Sequence, residues 1–207
     1  DVITIADPKT SSAVKGESLA DAVRVIEGYA DVIVVRHPRK GSAQEAADAV
    51  SIPVINGGDG AGQHPTQALL DTYTIQKEQG ALDGLTVALA GDLKNGRTVH
   101  SLAYVLARFD VRLIFVSPPQ LRMPGQITKG LREKGVTVTE TKDLGEALRE
   151  SDVLYMTRIQ KERFDDPKAY ERLKGSYVLD STSLEQARPT ITLMHPLPRV
   201  NEIKPEV

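Results

Sequence analysis

Arginine and histidine recur in one kind of position along this 207-residue chain, directly after short apolar runs. Arg36-His37 follows the run 32–35, and His64 follows the run 52–55 across a stretch in which Gly57, Gly58, Gly60 and Gly62 crowd together. Asp92-Leu93-Lys94-Asn95-Gly96-Arg97 follows the run 85–90, Arg158 follows 153–156, and His195-Pro196-Leu197-Pro198-Arg199 follows 191–194. A guanidinium is a planar fork that binds carboxylate or phosphate through two parallel hydrogen bonds. Such arginines in a chain of net charge -2 point to a substrate, or a pair of substrates, carrying several negative charges.

The elements that must position these residues are legible from periodicity. The runs 32–35, 53–56, 85–90, 113–116, 136–139, 153–156, 177–179 and 191–194 predict strands, with a further short one over 3–6. The β-branched run at 32–35 predicts a strand buried on both faces. Helical stripes start near Glu17 and cover 42–50, the stretch after Pro65, 99–106, 127–133 and 144–150. Strand–helix alternation at this spacing implies parallel sheets with helices on both faces. The fold class expected is therefore α/β, with two doubly wound parallel-sheet domains joined where the pattern breaks at 79–84. In such sheets ligands bind at the carboxyl ends of the strands, which is where the arginines and histidines fall. Pro65 suits a first helical turn. The Gly-rich stretch thus delivers His64 and Gln67 to a helix N-terminus, whose free N–H groups favour anions.

Composition excludes several functions. The chain has no basic excess for generic binding to nucleic acid or a membrane surface. No run of about 18 apolar residues predicts a membrane span. With no cysteine, disulfides and thiolate metal sites are excluded. A reducing, cytoplasmic setting is expected, and the N-terminus lacks a signal-peptide layout. His37, His64, His100 and His195 never pair at metal-ligand spacing, so no metal is expected. The 58–62 glycines lack the acidic residue about 20 positions on that a dinucleotide site wants, and no Walker A motif is present. No cofactor is expected. His100 sits within a helical stripe and reads as structural.

Together the segments Lys15-Gly16-Glu17-Ser18, Arg36-His37-Pro38, His64-Pro65-Thr66-Gln67, Gly91-Asp92-Leu93-Lys94, Gly96-Arg97-Thr98-Val99-His100-Ser101, Tyr155-Met156-Thr157-Arg158-Ile159-Gln160-Lys161-Glu162-Arg163 and His195-Pro196-Leu197-Pro198-Arg199 occur in the order seen in aspartate carbamoyltransferases. The resemblance covers essentially the whole chain. It implies transfer of the carbamoyl group of carbamoyl phosphate to L-aspartate in pyrimidine biosynthesis. Arg36, His64 and Gln67 match the carbamoyl-phosphate set: Arg36 on phosphate, His64 on the carbonyl oxygen and Gln67 on the carbamoyl NH₂. Arg97, Arg158 and Gln160 match the aspartate set. The backbone at Leu197, beside a Leu197-Pro198 bond that is cis in the family, would accept from the carbamoyl or amino group. Ser11 and Lys15 match a loop that reaches a neighbouring subunit's site in a trimer. Carbamoyl phosphate is already activated, so juxtaposing two anions and neutralising their charge suffices for catalysis.

The resemblance assigns residues 1–80 to a carbamoyl-phosphate domain and 81–207 to an aspartate domain. The first is expected to be incomplete, lacking the family's Ser-Thr-Arg-Thr phosphate loop, and the second to lack its C-terminal helices. Activity of this polypeptide by itself is accordingly left open. So are regulatory chains and fusion to other pyrimidine enzymes. Two alternatives stand beside this reading. One is an ornithine-type carbamoyltransferase, disfavoured because that family has His-Cys-Leu-Pro at 195–198 and lacks the Lys15-Gly16-Glu17 match. The other is a catalytically silent assembly module.

Overall fold

The computed structural model describes residues 1–5 and 12–207, divided into two compact units, Asp1–Thr66 and Gln67–Val207. Residues 1–5 carry no regular structure, and Ala6, the end of the expected first strand, lies outside the described residues.

The first unit holds α1 (Leu19–Glu27), β1 (Ile33–His37), α2 (Ser42–Ala49) and β2 (Val54–Asp59). The Ser18 hydroxyl caps α1 by accepting from the Asp21 N–H at 3.1 Å, which is why the helix starts just after Glu17-Ser18. The two strands pair in parallel, Ile33 opposite Val54. Val23 of α1 and Ala46 of α2 pack with Ile33 and Val35 on one face. The other face is open: Val34 is 66% exposed and Ile55 43%. The expectation of a strand buried on both faces is therefore corrected for β1. Its β-branched run reflects strand propensity, and the two helices cover only one side of it.

The second unit begins within α3 (Pro65–Gln79) and continues through β3 (Thr86–Ala90), α4 (Arg97–Leu106), β4 (Arg112–Val116), α5 (Gly125–Glu133), β5 (Thr137–Thr141), α6 (Leu144–Glu150), β6 (Val153–Met156), α7 (Pro167–Leu173), α8 (Ser181–Leu184) and β7 (Thr192–Met194). The five strands β3–β7 form one parallel sheet in the order β5-β4-β3-β6-β7. Alternate residues of its central strands feed two cores. Val87, Leu89, Leu113, Phe115 and Tyr155 pack against Ile75 of α3, Leu102 of α4 and Leu131 of α5. Ala88, Ala90, Ile114, Leu154 and Met156 pack against Leu148 of α6. This is the doubly wound α/β arrangement.

Two boundaries differ from the periodicity. The stretch 177–179 is not a strand of the sheet; Leu179 makes only a single parallel bridge to Ile203. It is apolar because Tyr177 and Leu179 cover the second core, not because they extend the sheet. The compact units meet within the first turn of α3, between Thr66 and Gln67. Ile75 belongs to the core of the five-stranded sheet, and Gln79 Nε2 donates to the Asp152 carbonyl, the Thr190 carbonyl and Thr192 Oγ1 at 3.1, 3.1 and 2.7 Å. Among the described residues, no helix is long and apolar enough to cross a membrane.

Candidate active site

In the first unit the carboxyl ends of β1 and β2 carry Arg36 and the Gly-rich stretch. β2 extends through Gly57 and Gly58 to Asp59, so the loop proper is short. Gly60 sits at φ 57°, where a Cβ would collide with the Pro38 carbonyl. Its N–H donates to the His37 carbonyl at 2.8 Å, which seals the loop onto the end of β1. Buried Asp59 then accepts from the Gln63 N–H at 2.5 Å and the Gly41 N–H at 2.9 Å. Burial pushes the Asp59 carboxyl up, but these amides and Asn56 outweigh it and hold it below the ordinary carboxylate range. Within the Gly-rich stretch the Gln63 amide is thus taken by the protein's own carboxylate.

Arg36 Nη1 donates to the Gly57 carbonyl at 3.2 Å and lies 3.4 Å from His64 Nε2. A guanidinium can only donate, so His64 meets it with the lone pair of Nε2. His64 Nδ1 lies 3.4 Å from Thr66 Oγ1. Arg36 and His64, the first two residues of the expected carbamoyl-phosphate set, are therefore brought together. His37 is occupied differently, its Nδ1 accepting the Arg39 N–H at 3.0 Å. Lys15 ends an exposed 3₁₀ turn, Ser12–Lys15, and Ser11 lies outside the described residues.

In the second unit the strand order reverses between β3 and β6, which opens a crevice at their carboxyl ends. Two loops leave the sheet there. Gly91, at φ 115°, lets them touch, since a Cβ would collide with the Thr157 carbonyl. Asp92 is fully buried and holds both loops. Its N–H donates to Thr157 Oγ1 at 3.1 Å. Its carboxylate accepts from the Asn95 N–H at 3.0 Å, from Asn95 Nδ2 at 3.1 Å and from the Gln160 N–H at 3.5 Å. Below, His100 Nε2 lies 2.7 Å from the Leu93 carbonyl, a structural role for that histidine. Arg97 emerges as the first residue of α4, and Arg158 and Gln160 follow β6, all three half-buried. Arg158 forms a two-pronged ion pair with Glu162, and the pairing holds the Glu162 carboxyl below its ordinary range. Sequence reasoning quoted Asp92 within a motif but assigned it no role. An acid directly after a strand and three residues before an Asn is the signal for such a turn anchor.

Leu197, 69% exposed, stands at φ 58°, and its bond to Pro198 is cis. Left-handed backbone costs a branched residue about 1–2 kcal/mol, so its surroundings must hold it. The Leu197 N–H donates to His195 Nδ1 at 2.8 Å, which leaves the ring proton on Nε2, 2.8 Å from Glu202 Oε1. Buried Glu202 also accepts from the Val200 and Asn201 N–H groups at 3.1 and 3.0 Å. Desolvation raises its pKa, but these hydrogen bonds prevail and bring it down to about 2.

Gln67, the third residue of the expected carbamoyl-phosphate set, belongs to the second compact unit. It sits in the first turn of α3, where Nε2 donates to Asp71 Oδ1 at 2.9 Å. Tyr155 of β6 donates to Asp71 Oδ2 at 2.7 Å. Among the described residues, no group of three or more His, Asp or Glu side chains could hold a metal ion.

The fold is a doubly wound parallel sheet with an arginine on each of the two loops at its switch point, the place where such sheets bind ligands. The family is shown by comparison. Residues 1–77 match the model of the aspartate/ornithine carbamoyltransferase carbamoyl-P binding domain, and residues 83–207 that of the Asp/Orn binding domain. The chain belongs to the aspartate/ornithine carbamoyltransferase family. It is 56% identical over 206 residues to the aspartate carbamoyltransferase catalytic subunit of Thermococcus gammatolerans, covering 100% of this chain and 67% of that protein. Aspartate transcarbamoylase from Trypanosoma cruzi, solved with N-(phosphonacetyl)-L-aspartic acid, superposes with a TM-score of 0.90 at 44% identity, covering 98% of this chain and 66% of that one. The catalytic subunit of M. jannaschii aspartate transcarbamoylase gives 0.88 at 50% identity, covering 100% and 69%. The chain spans about two thirds of the length of the curated relatives it matches.

Proposed function

We propose that the protein transfers the carbamoyl group of carbamoyl phosphate to the amino group of L-aspartate, giving N-carbamoyl-L-aspartate and phosphate, as a cytoplasmic step of pyrimidine biosynthesis. The observation that carries this reading is the pair Arg97 and Arg158 on the two loops of the switch point, bridged by Asp92. Two guanidinium forks suit a substrate with two carboxylates, one of which replaces Glu162 as the partner of Arg158. The cationic side chain of ornithine would meet like charge there, so the crevice favours the aspartate branch of the family over the ornithine branch. The T. cruzi relative binds a ligand that joins a phosphonate to aspartate, which supports the same two-substrate chemistry.

In this reading residues 1–80 serve carbamoyl phosphate and 81–207 serve aspartate. Arg36 neutralises the phosphate. His64 donates to the carbonyl oxygen, where negative charge grows as the amine attacks. The amine nitrogen bonds to the carbonyl carbon as the C–O bond to phosphate breaks, the proton lost by that nitrogen goes to the leaving phosphate, and Arg36 balances the phosphate charge. Gln67 accepts from the carbamoyl NH₂, Arg97, Arg158 and Gln160 clamp the aspartate, and the Leu197 carbonyl takes an N–H of the reacting groups. The active unit is a trimer in which Ser11 and Lys15 serve a neighbouring subunit's site.

The test is phosphate release by the chain in its full natural length, with carbamoyl phosphate and either aspartate or ornithine. Turnover with aspartate alone is expected. Turnover with ornithine alone moves the protein to the other branch, and none with either leaves an assembly module.

A further inference from the structure

A fully hydrogen-bonded polar cluster lies where α3 meets the sheet, and the chemistry described above does not use its centre. Asp71 is buried, 3% exposed, one helical turn after Gln67. Its two oxygens are divided between two donors, Gln67 Nε2 at 2.9 Å and the Tyr155 hydroxyl at 2.7 Å. Tyr155 is itself fully buried.

The two ends of a glutamine amide are nearly equal in size and opposite in hydrogen bonding. Which end faces a ligand is decided by what holds the other end. A carboxylate only accepts, so Asp71 draws the NH₂ of Gln67 inward and turns Oε1 outward. A ligand group meeting Gln67 must then be a donor. Carbamoyl phosphate has an NH₂ at its carbon, and an acyl phosphate of the same shape has a methyl group there.

We propose that Asp71 is a positioning residue that sets the orientation of the Gln67 amide and thereby makes the site select a carbamoyl over an acetyl donor. The inference rests on the reading of Gln67 as the group that meets the carbamoyl NH₂. A buried carboxylate is costly unless hydrogen-bonded, and here the hydrogen bonds that satisfy it are the ones that orient the amide. An asparagine at this position reverses the logic. With its oxygen on Tyr155, its NH₂ faces Gln67, and the glutamine must turn its own oxygen inward.

The experiment uses two stable probes of one shape, phosphonoacetamide, with an NH₂, and phosphonoacetone, with a methyl group. Their binding to the chain in its full natural length is measured by calorimetry for the wild type and Asp71→Asn. The wild type is expected to prefer the amide by about 10-fold or more, since a methyl leaves Oε1 unpaired. In Asp71→Asn that preference falls below about 3-fold through weaker binding of the amide, while ketone binding changes little. A preference unchanged in Asp71→Asn, or equal losses for both probes, overturns the proposal alone. A wild type that binds neither probe overturns the carbamoyl-phosphate reading and this proposal with it. If Asp71→Asn fails to fold, Tyr155→Phe keeps the ring and removes one anchor of the carboxylate. A preference reduced by about 2-fold or more supports the proposal, and an unchanged one overturns it.

Discussion

Asp92 gives the sharpest test of how the second unit positions its arginines. It is fully buried and accepts from Asn95 N, Asn95 Nδ2 and Gln160 N, which fixes the loop before Arg97 and the loop after Arg158 relative to each other. Asp92→Asn conserves the shape but replaces one accepting oxygen with a donor. Whichever way the new amide turns, an N–H then faces an N–H. A hydrogen bond to a charged group contributes about 1.5–3 kcal/mol. Losing one at the junction, and loosening the Gln160 backbone, corresponds to about a 10- to 100-fold fall in kcat/KM for aspartate at about 1.4 kcal/mol per tenfold. Asp92→Ala leaves all three donors without an acceptor, so its stability loss should reach about 3–9 kcal/mol from orphaned donors at ~1–3 kcal/mol each. The assay is steady-state kinetics in aspartate at saturating carbamoyl phosphate, beside calorimetry with phosphonoacetamide and urea unfolding. The carbamoyl-phosphate probe should lose less than about a tenth of what aspartate loses. Parallel losses for both, or an aspartate kcat/KM within about 3-fold of wild type, refute the idea that Asp92 acts by setting the switch-point loops.

Other outcomes follow from the same geometry. Arg158→Ala should raise KM for aspartate and leave phosphonoacetamide binding nearly unchanged, whereas Arg36→Ala should do the reverse; equal effects on both ligands would remove the division of labour. Gly91→Ala places a Cβ against the Thr157 carbonyl at a backbone φ of 115°. It should cost about 2–4 kcal/mol in urea unfolding, and a loss under about 0.5 kcal/mol would mean that the two loops separate easily. The Glu202 carboxyl is brought down to about 2 from an ordinary 4.5. A depressed acid stabilises the fold above its unfolded pKa and loses that contribution as pH falls through the folded one. The stability gap between wild type and Glu202→Gln should therefore be constant above pH 4.5 and close as pH falls toward about 2, read from urea midpoints. A gap that persists at pH 2 counts against the loop's being held by the charged carboxylate.

Much of this protein is readable in one dimension because the period of apolar residues reports burial directly. The central strands near 87–90, 113–116 and 153–156 are buried on both faces and stand out as unbroken apolar runs. The rule that strand ends carry ligands then selects Arg97 and Arg158 before any coordinate is known. Reading fails where an apolar residue serves another purpose. Tyr177 and Leu179 look like a strand but act as a cover, and Val34 looks buried but faces outward. Periodicity records that a side chain is apolar, and it does not say which surface meets it.

What the sequence determined by itself was the order of elements, the parallel α/β class and the identity of the residues able to bind anions, since these depend on local patterns and side-chain chemistry. Tertiary structure alone decided what those residues do to one another. It put α3 with the sheet of the second unit and filled the Gly-rich loop with Asp59. It also joined Asp92 to residues 65 and 68 positions away, and Asp71 to one 84 positions away. The physical reason is that hydrogen bonds between buried groups are set by direction and distance within a packed interior. Neither quantity is carried by the spacing of residues along the chain.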